Sequence, residues 1–422
     1  MKNLTYSFVA FALLFASSTQ SIAENWPQFR GLGGTASSAD QDLPVKWSDT
    51  ENIDWKVEIP GHGASSAVTW DDRIFLTSYS GYGINETEPG NRADLKLHVL
   101  CFSRASGELI WNKSHAASEN ERDFSRRIAD HGYATGTPAC DDSGVYALFG
   151  VSGVIAYDLQ GKLKWKAEVG SNTAGFGSAS SPTIHDNLVI VNASIESGKM
   201  YAFDKDSGEK VWTVDDIVRA WTTPTIAAAA DGSLELIVNQ KNSIYGFDPK
   251  TGEKLWTCTG IQDYVVPCVV AHDGIAYCIG GRSNRSIAVR LGGRGDVTKT
   301  HKLWEETIGA NVTSPVISGA HLYWASDKGV ACCLDLKTGG IAYRERLPTR
   351  SRIYGSVVLG DGKLYVPTRD QGIIVLAAKP EFQELARNQF SSDASLINAS
   401  PAISNGQILI RTNNYLYCIG KR

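Results

Sequence analysis

Ser181-Pro182-Thr183-Ile184 leads into a turn at Asp186-Asn187 and the apolar run Leu188 to Val191; after a loop come Met200-Tyr201-Ala202-Phe203-Asp204, a turn at Asp206-Ser207-Gly208, and Glu209-Lys210-Val211-Trp212. Reading this stretch decides the fold. It is four short strands punctuated by turn residues, which is one antiparallel sheet of the size of a propeller blade. We name its strands A to D, from the axis outward.

The unit recurs. The A-strand anchor Ser/Thr-Pro returns at Thr137-Pro138, Thr223-Pro224, Ser314-Pro315 and Ser400-Pro401. Val266-Pro267 reads as a variant, and Ser66-Ala67 and Gly355-Ser356 take the equivalent places in two other blades. The spacing is about 45 residues, a propeller-like period, and eight A strands result. D-strand tryptophans fall at Trp111, Trp165, Trp212, Trp256 and Trp304, with Tyr343 replacing one. Turn glycines Gly107, Gly161, Gly208 and Gly252 precede the first four of these. After the eighth A strand only two more strands fit before Arg422, while Ile53 to Glu58 carries a spare D-strand pattern near the start. The expected fold is therefore all-β: an eight-bladed β-propeller of four-stranded antiparallel blades, its ring closed by an N-terminal strand. Closure of this kind hides the edges an open sheet would expose.

The Tyr-Ala-Phe-Asp…Ser-Gly-Glu-x-x-Trp pattern of residues 201–212, echoed at 245–256, resembles the tryptophan-docking repeat of the pyrroloquinoline-quinone (PQQ)-like propellers. That superfamily includes BamB-like outer-membrane assembly lipoproteins and quinoprotein alcohol dehydrogenases. The resemblance runs over residues 47–422. The tryptophans follow Gly-x-x-x rather than closing a strand as Trp-Asp, which separates them from WD40 repeats. Their regular placement assigns them to packing between blades rather than to stacking on a cofactor.

The 422 residues carry a net charge of −4 and no long basic run, so nothing marks a general nucleic-acid partner. Lys2, the apolar stretch Leu4 to Ala16 and the small residues of Ser21-Ile22-Ala23 read as a signal peptide over 1–23, cleaved after Ala23. Residues 24–52 form an N-terminal extension and 53–422 a single propeller domain. The expectation is an exported monomer, periplasmic or extracellular, with no transmembrane segment; the lipidation cysteine of the BamB-like lipoproteins is missing.

Eight cysteines in an exported chain raise disulfides as a default. The repeat register reads them differently: Cys101, Cys333 and Cys418 align with Ala202, Ala156 and Gly246 at a small buried C-strand position, and Cys140 aligns with the core Ile184. Cys258, Cys268 and Cys278 leave room for one bridge. The resemblance adds an adjacent disulfide at Cys332-Cys333, as found near the cofactor in quinoprotein dehydrogenases, although strand neighbours point to opposite faces. No Cys/His spacing suggests a metal.

In a propeller the D–A and B–C loops share one face. The two longest insertions, after Ser80 and after Ser114, both lie there, while the other face has mostly tight turns such as Asp71-Asp72 and Thr251-Gly252. Residues just before each A strand ring the mouth of the axis: His62, His131 with Tyr133, Phe176, Arg219 with Trp221, Asp263 with Tyr264, Asn311, Arg352 with Tyr354, and Asn398. Their composition suits a pocket whose polar groups orient a ligand. Solvated loop side chains that merely hydrogen-bond across the channel would look the same. Arg126-Arg127 and Asp130, just upstream, suit a lid or a charged surface. The triplet Arg294-Gly295-Asp296 sits on a C–D connection and reads as coincidental.

Two functions follow. The first is a binding or scaffold module for a protein, peptide or glycan partner, with no cofactor expected. The alternative, implied by the resemblance, is a PQQ- and Ca²⁺-dependent dehydrogenase of the alcohol or polyvinyl-alcohol type. Asp263 is the one carboxylate among those mouth residues, which under-supplies a calcium cage. Binding is therefore the preferred expectation.

Overall fold

The computed structural model describes residues 25–420; the signal-peptide reading of 1–23 lies outside the described residues. Eight antiparallel sheets follow one another in chain order. Blade 1 has strands Val68–Trp70, Arg73–Ser80, Lys96–Ser103 and Leu109–Ala116, and blade 3 has Thr183–His185, Leu188–Ala193, Lys199–Asp204 and Lys210–Val214. In blade 8, Ile53–Glu58 pairs antiparallel with Tyr415–Ile419, Trp55 opposite Cys418, and so supplies the D strand that closes the ring.

Each D-strand tryptophan packs on the C–D turn of the following blade. Trp165 Nε1 donates to Lys205 O (3.0 Å), and a Cβ on Gly208, whose φ is +75°, would stand 2.6 Å from the Trp165 ring. Glycine is required there on both counts. The same pairing joins Trp55 to Gly107, Trp111 to Gly161, Trp212 to Gly252 and Trp304 to Gly339. Opposite the ring, across the C–D ladder, stands a small residue: Cys101 faces Trp111, Ala202 faces Trp212 and Cys333 faces Tyr343. All eight cysteines are buried free thiols, so neither suggested bridge forms.

Trp256 departs from the rule. The C–D connection of blade 5 is an insertion whose Gly295–Asp296 pairs parallel with Trp256 and Thr257 of blade 4, and Trp256 Nε1 donates instead to the buried Glu235 Oε2 (2.8 Å). The Arg-Gly-Asp triplet thus covers a sheet edge.

The A-strand anchors explain their own chemistry. The amide of each anchor donates to the side chain of the next: Ser66 to Thr137 (2.8 Å), Thr137 to Ser181 (3.0 Å), Ser181 to Thr223 (3.1 Å), and Thr223 to Cys268 Sγ (3.4 Å). Cys268 then donates to Ser314 (2.9 Å), Ser314 to Ser356 (2.9 Å), Ser356 to Ser400 (2.8 Å), and Ser400 back to Ser66 (3.1 Å). A buried belt of eight hydrogen bonds encircles the axis, each worth on the order of 1 kcal/mol net. It also corrects two alignments: in blade 7 the anchor pair is Ser356-Val357, one residue later than Gly355-Ser356. In blade 5 the anchor is Cys268 rather than Val266: Val269 O accepts from Thr225 Oγ1 as Pro224 O accepts from Thr183 Oγ1.

The segment before the ring is equally integrated. Trp26, Ala36, Leu43 and Trp47 are buried, and the chain threads the inner edges of the A strands. Trp26 O accepts from Thr69 N, Pro27 O from Cys140 N and Ala36 O from Leu359 N, while Ser37–Ser38 pairs parallel with Leu359–Gly360. Residues 25–47 therefore cross the ring on the side of the A–B turns. Among the described residues no helix is long and apolar enough to cross a membrane.

Candidate functional site

On the D–A and B–C side the axis opens into a cup of about 1490 Å³, with Phe29 of the crossing segment at its base. Of the expected mouth residues, His131, Arg219, Trp221, Asp263, Tyr264, Asn311, Arg352, Tyr354 and Asn398 all line it, as does Phe176. His62 and Tyr133 do not. His62 exchanges backbone hydrogen bonds with Tyr79 (2.9 and 2.8 Å). Tyr133 meets Tyr79 edge-on (5.4 Å between centroids), lies against Tyr82 (5.9 Å), and donates to Arg122 O (2.8 Å). Tyr133 is taken up in fastening the blade 1 insertions to the ring, and His62 is held against the B strand of blade 1, its ring edge-on to that of Tyr79 (6.4 Å).

The cup wall is cross-linked by polar contacts. Asp263 Oδ1 accepts from Tyr264 N (2.8 Å) and its Oδ2 from Arg282 N (2.8 Å); Asp327 Oδ1 accepts from Asn311 N (3.3 Å). Asp130 pairs with Arg369 Nη1 (3.1 Å), whose Nε reaches Asn398 Oδ1 (2.9 Å). Trp221 Nε1 donates to Gly177 O (2.8 Å) and Arg352 Nη1 to Tyr354 OH (3.0 Å). His131 shares a short contact with Thr135 Oγ1 (2.6 Å), and burial holds its imidazole below the usual value, so it is neutral at pH 7. Arg219 occupies the left-handed region, φ +49°, where a non-glycine residue is strained. The short helix Arg126–Ala129 rests over the mouth, with Arg127 above the Phe176 ring (5.2 Å) and the neighbouring Asp130 tied to blade 7.

Several lining residues escape a search confined to the positions before each A strand. Arg282 and Lys328 come from B–C loops, Arg346 from the end of a D strand, and Arg350 from two residues upstream of Arg352. Seven cations line the cup (Arg127, Arg219, Arg282, Lys328, Arg346, Arg350, Arg352) against three carboxylates, Asp130, Asp263 and Asp327. All three carboxylates are engaged as described, and among the described residues none of the seven cations forms an ion pair.

A quinone cofactor with Ca²⁺ would need carboxylate and amide ligands converging on one point. Among the described residues no group of three or more His, Cys, Asp or Glu converges so. Asp263 and Asp327 spend oxygens on backbone amides, and Asp130 on Arg369. Cys332 and Cys333 sit in the C strand of blade 6 and do not line the cup. The donor set does not fit that cage.

A family model described as outer membrane protein assembly factor BamB matches residues 96–339 and 293–414. The chain belongs to the BamB family. A BamB of Shewanella oneidensis is 24% identical over 269 residues, which is 60% of this chain and 53% of that one, so the match spans about half of the relative's length. The crystal structure of BamB from Moraxella catarrhalis superposes with a TM-score of 0.63 at 16% identity, covering 88% of this chain and 97% of the other. Quinohemoprotein alcohol dehydrogenase from Comamonas testosteroni gives 0.57 at 11% identity, covering 94% and 81%. These two structures share the propeller fold with this chain.

Proposed function

We propose that this chain is an exported, monomeric binding protein, and that it holds a partner protein against the loop face of its propeller with the axial cup as the centre of contact. Membership of the BamB family supports a protein-binding scaffold. The observation that carries the reading is an asymmetry: the two blade 1 insertions and the unpaired cations gather around one mouth, whereas the other side carries mostly tight turns, the crossing segment and the blade 5 insertion that covers the edge of blade 4. Loops held by a rigid ring are well suited to recognition. The reading needs no resident metal or quinone. It is tested by placing a photo-crosslinking residue at Arg219 or Arg350, and in controls at Thr251 or Lys337 on the opposite turns, in the native host. One shared adduct from the two mouth positions and none from the turns is expected. Adducts from the turns alone would reverse the assignment of the face.

A further inference from the structure

The cup carries more positive charge than its wall residues alone provide. Arg30, 1% exposed, lies in the crossing segment next to Phe29 of the base; it donates through Nε to Gly34 O and through Nη2 to Pro315 O, and its Nη1 has no partner. Arg411, 2% exposed, donates through Nη1 to Ser65 and Thr77 beside the lining residue Ala64, while its Nε and Nη2 have no partner. Neither has a carboxylate within ion-pair distance among the described residues. Burial pushes the two guanidiniums down only to about 10 and about 9, so both remain cations at neutral pH. Charges held in a low-dielectric wall around a cleft focus their field into it. A chain of net charge −4 has thus concentrated unpaired positive charge at one point on its surface.

We propose that the cup takes an acidic peptide, an Asp/Glu-rich loop or terminus of the partner protein, whose carboxylates are gripped by the unpaired arginines around the mouth. This rests on the proposed protein-binding role and names its chemistry. Six of the seven lining cations are arginine, and the guanidinium fork matches a carboxylate through two parallel hydrogen bonds. Arg282 lies over the Tyr264 ring (5.1 Å) and Arg127 over Phe176, so these forks are oriented before a ligand arrives and less rotamer freedom is lost on binding. The same geometry disfavours a single-stranded nucleic acid, which needs open aromatic faces on which to stack its bases. Here Phe176, Tyr264 and Tyr354 already carry a guanidinium on one face, and Trp221 meets Tyr264 edge-on. The volume of about 1490 Å³ exceeds that of an ordinary small-molecule pocket and has room for several residues of an extended chain.

The test is fluorescence anisotropy of the whole protein with a labelled oligoglutamate, its oligoglutamine counterpart, and an oligothymidylate and a sulfated oligosaccharide of equal charge. Oligoglutamate is expected to bind, oligoglutamine not to, and the affinity to fall with rising salt. The exposed pair Arg350→Glu/Arg352→Glu should weaken it at least about tenfold, and Lys337→Glu on the far side should leave it unchanged. Arg219→Gln, which removes one charge and adds none, should give a smaller loss and guards against misfolding of the double variant. Absence of oligoglutamate binding at low salt, equal loss with Lys337→Glu, or tighter binding of the oligothymidylate or the sulfated sugar would overturn the proposal. The two readings fail separately. If oligoglutamate does not bind but Arg350→Glu/Arg352→Glu abolishes partner crosslinking, only the acidic-peptide chemistry falls; if crosslinking also survives, the cup itself is not the contact.

Discussion

The belt and the mouth lie on the same eight connections, a few residues apart, and they are built on opposite plans. At the belt, seven of the eight blades contribute a hydroxyl and the eighth a thiol, each accepting from its neighbour's amide. At the mouth the blades contribute different groups: His131, Phe176, Arg219, Asp263, Asn311, Arg352 and Asn398. A position that must join any blade to any other accepts one chemistry. A position released from that duty can diversify, and here the diversity accumulates unpaired cations.

If this division is right, stability and binding should separate. The largest expected effect is at the repeat: Trp165→Ala, removing a ring packed on Gly208, should destabilise by about 3–5 kcal/mol in denaturant melts. Oligoglutamate affinity, measured under conditions where that variant is folded, should change little. Within the belt, Ser314→Ala leaves the Cys268 amide without its acceptor and should cost about 1–3 kcal/mol. At the mouth, Arg352→Ala should stay within about 0.5 kcal/mol of the parent while weakening the peptide. Equal destabilisation by Ser314→Ala and Arg352→Ala would erase the contrast.

A smaller effect concerns pH. Under the blade 1 insertion, burial and the nearby Glu196 carboxylate push Glu121 up to about 7, although Ser152 Oγ donates to it (3.0 Å). An acid whose folded pKa is raised binds more protons folded than unfolded, so stability should fall as pH rises from about 4.5 to about 7. Glu121→Gln should flatten that slope, gaining about 2–4 °C in melting temperature at pH 8 relative to pH 5. An unchanged slope would show that the carboxylate is solvated. Smallest of all, Cys268→Ser should shift stability by no more than about 0.5 kcal/mol, because an oxygen replaces sulfur as the belt acceptor. PQQ with Ca²⁺ should leave both the absorbance spectrum and the melting temperature unchanged.

What could be read from the sequence follows the same line. Eight blades, closure by Ile53–Glu58, tryptophan docking and the small-residue role of Cys101 all repeat, and repetition makes a position legible. Blade 5 misled because Pro267 imitates an anchor proline two residues early, where only the hydrogen bond through Cys268 reveals the register. The crossing segment carries no repeat, so its path through the ring was illegible, and with it the base of the cup. Ten of the twelve residues expected at the mouth line the cup, because they precede A strands. Arg282, Lys328 and Arg346 stand elsewhere in the repeat, and their convergence depends on closure of the ring. His62 and Tyr133 had the right position but were taken up by packing against Tyr79.

The most direct measurement is competition: crosslink the native partner through position 219 in the presence of increasing oligoglutamate, with oligoglutamine as the control. Oligoglutamate is expected to suppress the adduct in a salt-sensitive way, and oligoglutamine to leave it unchanged. An adduct undiminished by saturating oligoglutamate would contradict the acidic-peptide role of the cup.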